Sequence, residues 1–230
     1  MTGAVWTPLL LSLKVALWAT ILSSVAGVLV AYVLARRPGR VSDLVDAVLT
    51  LPLVLPPTVM GYYLLVVFGR RGTVGQWLES VGITLVFTWQ GAAMAAAVVA
   101  FPLVLRSART AFEGVEPELE RAARALGVSE RIVFLRVTLS LARPGIIAGV
   151  LLAFARALGE FGATLMIAGS LPGKTQTLSI AIYEAVQAGD DDTANILVLV
   201  TSAVCIIVLL IAGRYAPKPP GRRAPRRIIG

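Results

Sequence analysis

The chain has 230 residues, 57% of them hydrophobic and 15% charged, with a mean hydropathy of +0.82 and a formal net charge of +8. Soluble domains hold about 45–50% apolar and about 25% charged residues, so the apolar excess here, gathered in long runs, belongs in lipid. Histidine is absent and Cys205 is the only cysteine, which excludes histidine acid–base or metal chemistry, an intrachain disulfide and a cysteine metal cluster.

Five spanning segments are expected, at about 8–35, 45–68, 90–110, 144–168 and 194–213. Each is near the ~20 residues that cross ~30 Å of hydrocarbon. The first has no basic segment before it and is too long for the apolar region of a signal peptide, so it reads as a span. The second contains Leu51-Pro-Leu-Val-Leu-Pro-Pro-Thr-Val-Met-Gly61. Pro52, Pro56 and Pro57 each remove an internal hydrogen bond or force a kink. Lipid cannot satisfy the freed carbonyls, so this backbone faces protein or a watery path. Pro56 and Pro57 stand open to two readings, path-lining residues or a packed structural kink.

Residues 69–89 form an outer segment with an amphipathic piece around Gln76–Glu79, and Trp77 and Trp89 suit a membrane interface. After the third span comes an aqueous loop, 111–143. Within it, Glu116-Pro-Glu-Leu-Glu-Arg-Ala-Ala-Arg-Ala-Leu-Gly127 predicts a short helix. Leu119, Ala122, Ala123 and Leu126 fall on one face at i, i+3, i+4 and i+7. Pro117 suits the first helical position, Glu118 and Glu120 place negative charge in the first turn, and Gly127 can close the helix in a left-handed conformation. A flat, small-residue face on an aqueous helix of a membrane protein reads as a docking element.

The fourth span carries Phe154-Ala-Arg-Ala-Leu-Gly-Glu-Phe-Gly-Ala-Thr164. Arg156 and Glu160 are four apart and are expected on one helix face. Counted from Pro144 at ~1.5 Å per residue, they lie ~18 Å and ~24 Å into the span. Ionisable groups at such depth face the protein interior or a water-filled cavity. The pair reads either as an ion bridge that fixes helix packing or as a contact with a passing solute. Gly159 and Gly162 permit close helix approach. Residues 169–193 form a second outer segment, amphipathic around Thr177–Glu184, with Tyr183 placed for an interface. Asp190-Asp-Asp192 reads as a solvated loop or helix start rather than a metal site. Residues 214–230 form a basic Pro/Gly-rich tail expected to be disordered.

Charge placement orients the spans. Arg36, Arg37 and Arg40, the seven arginines from Arg106 to Arg143, and the six basic residues of the tail give sixteen on one side. Only Arg70, Arg71 and Lys174 lie on the other, while Lys14 and Arg156 fall within spans. The positive-inside rule puts the sixteen in the cytoplasm, the N-terminus outside and the C-terminus inside.

The loop resembles the motif of binding-protein-dependent ABC transporter permeases: Glu-Ala-Ala, three residues, Gly, nine residues, then Ile-x-Leu-Pro. Ala122, Ala123 and Gly127 match, and Val137 and Leu139 take the Ile and Leu places. Arg121 stands where that family has Glu, and Ser140 where it has Pro. The Leu51–Tyr62 run, Gly69-Arg-Arg-Gly72 and Ala157–Thr164 are similar to the molybdate branch; sulfate/thiosulfate permeases share the Leu-Gly-Glu-Phe-Gly-Ala stretch. The resemblance runs from about residue 8 to 213. It implies an all-α membrane protein of about five transmembrane helices with a cytoplasmic coupling helix, the type I importer permease fold, in one domain, 1–213. It implies a homodimer in the inner cell membrane, served by two cytoplasmic ATPase subunits and an extracytoplasmic oxyanion-binding protein, with no nucleic acid. Coupling to the ATPase would fall to Glu120, Arg121, Ala122, Ala123, Leu126 and Gly127, and the translocation path to Pro56, Pro57, Arg156, Glu160 and Gly162.

The sequence has no Gly-x-x-x-x-Gly-Lys-[Ser/Thr] loop, so no cofactor is expected on this chain and ATP and magnesium are expected on the partner. Selectivity is expected in the binding protein, because a strong fixed anion site would trap its cargo. A secondary anion transporter or channel would need intramembrane acids of its own, and Glu160 is the single candidate. A membrane enzyme would need a nucleophile or metal constellation, which the sequence lacks.

Overall fold

A computed structural model describes residues 2–215, and these are mostly helical with no strand among them. The helices in chain order are α1 (Thr2–Arg36), α2 (Arg40–Val54), α3 (Pro57–Phe68), α4 (Thr73–Ser80), α5 (Trp89–Glu113), α6 (Pro117–Ala125), α7 (Glu130–Val133), α8 (Leu139–Leu158), α9 (Gly162–Ala168), α10 (Leu178–Gln187) and α11 (Asp191–Tyr215). A π turn, Phe134–Thr138, joins α7 to α8. Most of the basic tail lies outside the described residues.

The centre is α5. Two thirds of its apolar window (67%) is buried, against 33% for α1 and 11% for α11. The cause is its alanine content. Ala92, Ala93, Ala95, Ala96, Ala97 and Ala100 are all buried, and short side chains let neighbouring backbones come close. Gly27 of α1 sits against Val104, where an added Cβ would lie 3.0 Å from Val104 Cγ1. Thr88 caps the helix by accepting from the Gly91 N–H at 3.2 Å. Lys14 lies over the Trp89 ring, Gly27 meets Val104 and Tyr32 meets Phe112, so α1 and α5 run parallel. Gly145 meets Ala111 and Gly149 meets Ser107, so α8 runs antiparallel to both. The same holds for α2, whose Asp46 faces Arg109 at 3.3 Å and Thr50 faces Arg106 at 3.4 Å.

Four helical stretches are long and apolar enough to cross a membrane: Val5–Arg36, Trp89–Glu113, Glu130–Leu158 and Asp191–Ile211. The second expected span, 45–68, is a pair of helices, α2 and α3, bent by 112° at Leu55-Pro56. Two prolines in succession explain the break, since Pro56 and Pro57 offer no N–H to continue the ladder and Pro57 starts the next helix.

The fourth expected span, 144–168, differs at both ends. Pro144 lies inside α8 rather than at its start, so depths counted from it do not hold. The helix also stops at Leu158, is capped by Gly159, and resumes as α9 after Phe161. Glu160 therefore lies in a break rather than on the face of α8. Gly159 makes no close interhelical approach; it is exposed, with only its own helix near. Both outer amphipathic pieces are helices, α4 and α10. The Asp190 carboxylate accepts the Thr193 N–H at 3.0 Å at the start of α11, the helix-start role.

Candidate coupling helix and translocation path

Helix α6 forms as its local signals dictate. Pro117 opens it, and Gly127 closes it at φ 78°. The Gly127 N–H donates to the Arg124 carbonyl at 2.9 Å and the Val128 N–H to the Ala123 carbonyl at 3.2 Å, the paired bonds of a Schellman cap. Leu119, Ala122 and Leu126 are exposed, Leu126 by 85%, and Ala123 is half-buried. The face expected to dock is thus free in this single chain. Arg121 is exposed too and pairs with Glu118 at 2.7 Å.

Glu120 is different from the other residues assigned to coupling. It is the one buried residue of α6, at 2% exposure. It accepts hydrogen bonds from the Arg36 guanidinium at the end of α1 and from the Thr138 hydroxyl at 2.5 Å. Arg124 approaches its other oxygen at 3.5 Å and itself donates to Glu130 at 2.6 Å. The Arg36 hydrogen bond, helped by that from Thr138, holds the Glu120 carboxyl below the usual carboxylate range against the opposing effect of burial. Sequence reasoning counted Glu120 with the docking residues and missed Arg36. The only signal in the sequence was a first-turn acid and a basic residue at a helix end, 84 residues apart.

The path residues gather around a second centre, where α3 and α9 lie side by side. A Cβ on Gly162 would lie 3.0 Å from Pro57 Cβ, and one on Gly61 would lie 2.6 Å from Met166 Cβ and 3.0 Å from Ala163 Cα. Residue numbers rise together along both helices, so they run parallel with their first turns in contact. Pro56 and Pro57 are exposed at that end, and Gly162 is buried. Glu160 sits just before α9 and its Oε1 accepts the Ala163 N–H at 2.9 Å. Its Oε2 lies 2.8 Å from Arg156 Nη1 as an ion pair without hydrogen-bond alignment. The structure thus brings Pro57, Gly162, Glu160 and Arg156 into one neighbourhood. The Glu160 side chain is 1% exposed and that of Arg156 is 30% exposed, so the arginine is the member a solute could reach. No group of three or more metal-ligating acids or cysteines occurs among the described residues.

Known proteins share this design. Residues 23–218 match the family model described as binding-protein-dependent transport system inner membrane component. The chain is 48% identical over 214 residues to the molybdenum transport system permease protein ModB of Escherichia coli (strain K12), covering 92% of this chain and 93% of that one. It is 43% identical to ModB of Haemophilus influenzae, covering 88% and 89%. It is 36% identical to the sulfate transport system permease protein CysT of Escherichia coli (strain K12), covering 92% and 75%. Among solved structures, the MetNI methionine ABC transporter in an inward-facing form superposes with a TM-score of 0.74, at 18% identity, over 93% of this chain and 95% of that one. The superposition shows that the fold is shared over nearly the whole chain. The chain is a multi-pass membrane protein and belongs to the binding-protein-dependent transport system inner membrane components.

Proposed function

We propose that this chain is the membrane permease subunit of an ATP-driven importer that carries molybdate, with tungstate as a close analogue. The observation that carries the reading is α6, a helix anchored inward by one carboxylate while Leu119, Ala122 and Leu126 face outward without a partner. The molybdenum permeases at 43–48% identity support the cargo. Two copies of the chain line one path; Pro56 and Pro57 lie on the surface of the single copy, where a second copy would enclose them. Two cytoplasmic ATPase subunits receive the α6 helices, and they hold the ATP and magnesium. An extracytoplasmic binding protein delivers the oxyanion. The clustering of Arg36, Arg109, Arg121 and Arg124 at the α6 end supports placing that end in the cytoplasm of the inner-membrane assembly, with α1 starting outside.

Transport then proceeds by differential binding of two shapes. The ATPases close on ATP and pull the α6 helices together, which tilts the bundles outward; hydrolysis and release let them return. The oxyanion needs only transient stabilisation on the way. Arg156, partly neutralised by Glu160, supplies a weak positive field rather than a trap.

The test is reconstitution of the chain with its ATPase and binding protein in liposomes. ATP-dependent uptake of radiolabelled molybdate, competed by tungstate and poorly by sulfate, is expected. The relationship to CysT makes sulfate the second reading, and equal competition by sulfate would favour it. Uptake driven by an ion gradient with no ATPase present would instead favour a secondary transporter. Leu126→Glu places a charge at an 85%-exposed position and is expected to abolish co-purification of the ATPase. It probes docking more cleanly than Gly127→Glu, which also strains a left-handed residue.

A further inference from the structure

Helix α6 has little apolar attachment to the rest of the molecule. Leu126 points outward, while Leu119 borders a groove of about 990 Å³, lined also by Thr110, Val115, Leu141 and Pro144, that separates the helix from α5 and α8. What faces inward is a carboxylate. A buried carboxylate is tolerable only when paired and hydrogen-bonded, and Glu120 has both forms of support.

Its partners lie on two other segments. Arg36 is the last residue of α1, and its guanidinium also lies 5.3 Å from the Tyr32 ring centroid, one turn back. That ring packs edge-on against Phe112 of α5 at 5.4 Å and Phe134 of the π turn at 4.7 Å. Thr138 closes the π turn at the start of α8. One carboxylate therefore gathers α1, α6 and α8, with aromatic rings beneath it that also reach α5. Arg124 adds charge but belongs to α6 itself, so it joins nothing new.

We propose that Glu120 is the positioning residue that passes movement of α6 to α1 and to the start of α8, through Arg36 and Thr138 and without touching the ATPase. The proposal rests on the docking of α6 argued above. A pull on α6 reaches the membrane body through these two hydrogen bonds because Leu126 is exposed and Leu119 meets only an open groove. Contact with the partner and transmission of its movement then belong to opposite faces of one nine-residue helix.

The experiment uses the full complex of permease, ATPase and binding protein in liposomes. Two quantities are read: the ATPase retained on purification, and molybdate imported per ATP hydrolysed. Glu120→Gln and Arg36→Gln are each expected to retain the ATPase while import per ATP falls about tenfold, within the usual range of intersite coupling. The double variant is expected to be no worse than either single one, and the swap of Arg36→Glu with Glu120→Arg is expected to recover most of the loss. Thr138→Val, which leaves the charges in place, gives a smaller fall. Loss of ATPase binding in Glu120→Gln would overturn the proposal, since it would show direct contact. Unchanged import per ATP would overturn it as well. Leu126→Glu separates the two claims: if that variant keeps its ATPase, the docking reading fails, whereas an unchanged ratio in Glu120→Gln with docking lost in Leu126→Glu removes the joint alone.

Discussion

Glu120 meets an arginine 84 residues away in the sequence, whereas Glu160 meets one four residues before it. Both carboxylates are buried to 2% exposure, yet they do different work. The first ties a projecting helix to two others. The second serves its own bend, capping α9 with one oxygen and facing the last turn of α8 with the other. Burial of an acid is thus no guide to its role; the sequence distance to its partner is more informative. A long-range pair moves elements together, and a local pair holds a break in shape.

The largest test of that contrast is at the local pair. Glu160→Ala removes the cap of the Ala163 N–H and leaves Arg156 without its partner, at a cost of about 3 kcal/mol. Thermal unfolding in detergent measures it. Glu120→Gln should cost only about 1 kcal/mol by the same measurement, because what it removes is an ion pair whose Arg36 keeps 37% of its side chain in water. Equal losses at the two sites would erase the distinction. Next comes Gly61→Val, which drives a side chain into Met166 and the Ala163 backbone and is expected to cost about 2 kcal/mol through overpacking. Its loss should be additive with that of Glu120→Gln, since the sites share no partner.

Acidification sharpens the comparison further. The Glu120 carboxyl titrates below its ordinary value in the folded state because Arg36 donates to it. Its contribution is therefore full above the unfolded carboxylate value of about 4.3 and fades as pH falls through the lower folded value. Limited proteolysis at α6 is expected to increase in that acidic window, and the increase should vanish in Glu120→Gln. The smallest effect belongs to Arg121→Glu. It replaces an exposed pair with a like-charge contact to Glu118, and unfolding should shift by less than about 0.5 kcal/mol.

Much of α6 was legible because its signals are local. Pro117 at the first position and Gly127 past the end are short-range steric facts, and the helix begins and ends where they require. The inward turn of Glu120 was not legible, since nothing near it names Arg36 as partner. Three prolines in the second span signalled a broken backbone, but its 112° angle depends on what α3 packs against. The break in the fourth span left a trace that periodicity alone overrode. Gly159 can end a helix, and an acid at Glu160 suits the start of the next. The apolar run continued across both, and apolar character cannot distinguish a span from two pieces of one.

The π turn before α8 carries a further geometric consequence. An α-helix advances about 100° per residue, and a turn closed from Leu139 N–H to the Phe134 carbonyl contains one residue more than an α turn. The phase of α8 relative to α7 is therefore offset by about one such step. That surplus residue sets the direction in which Thr138, at the end of the turn, presents its hydroxyl to Glu120. Deleting one residue between Phe134 and Thr138 would restore an uninterrupted α ladder and carry the Thr138 hydroxyl away from Glu120, so the chain's register here is set by counting as much as by chemistry.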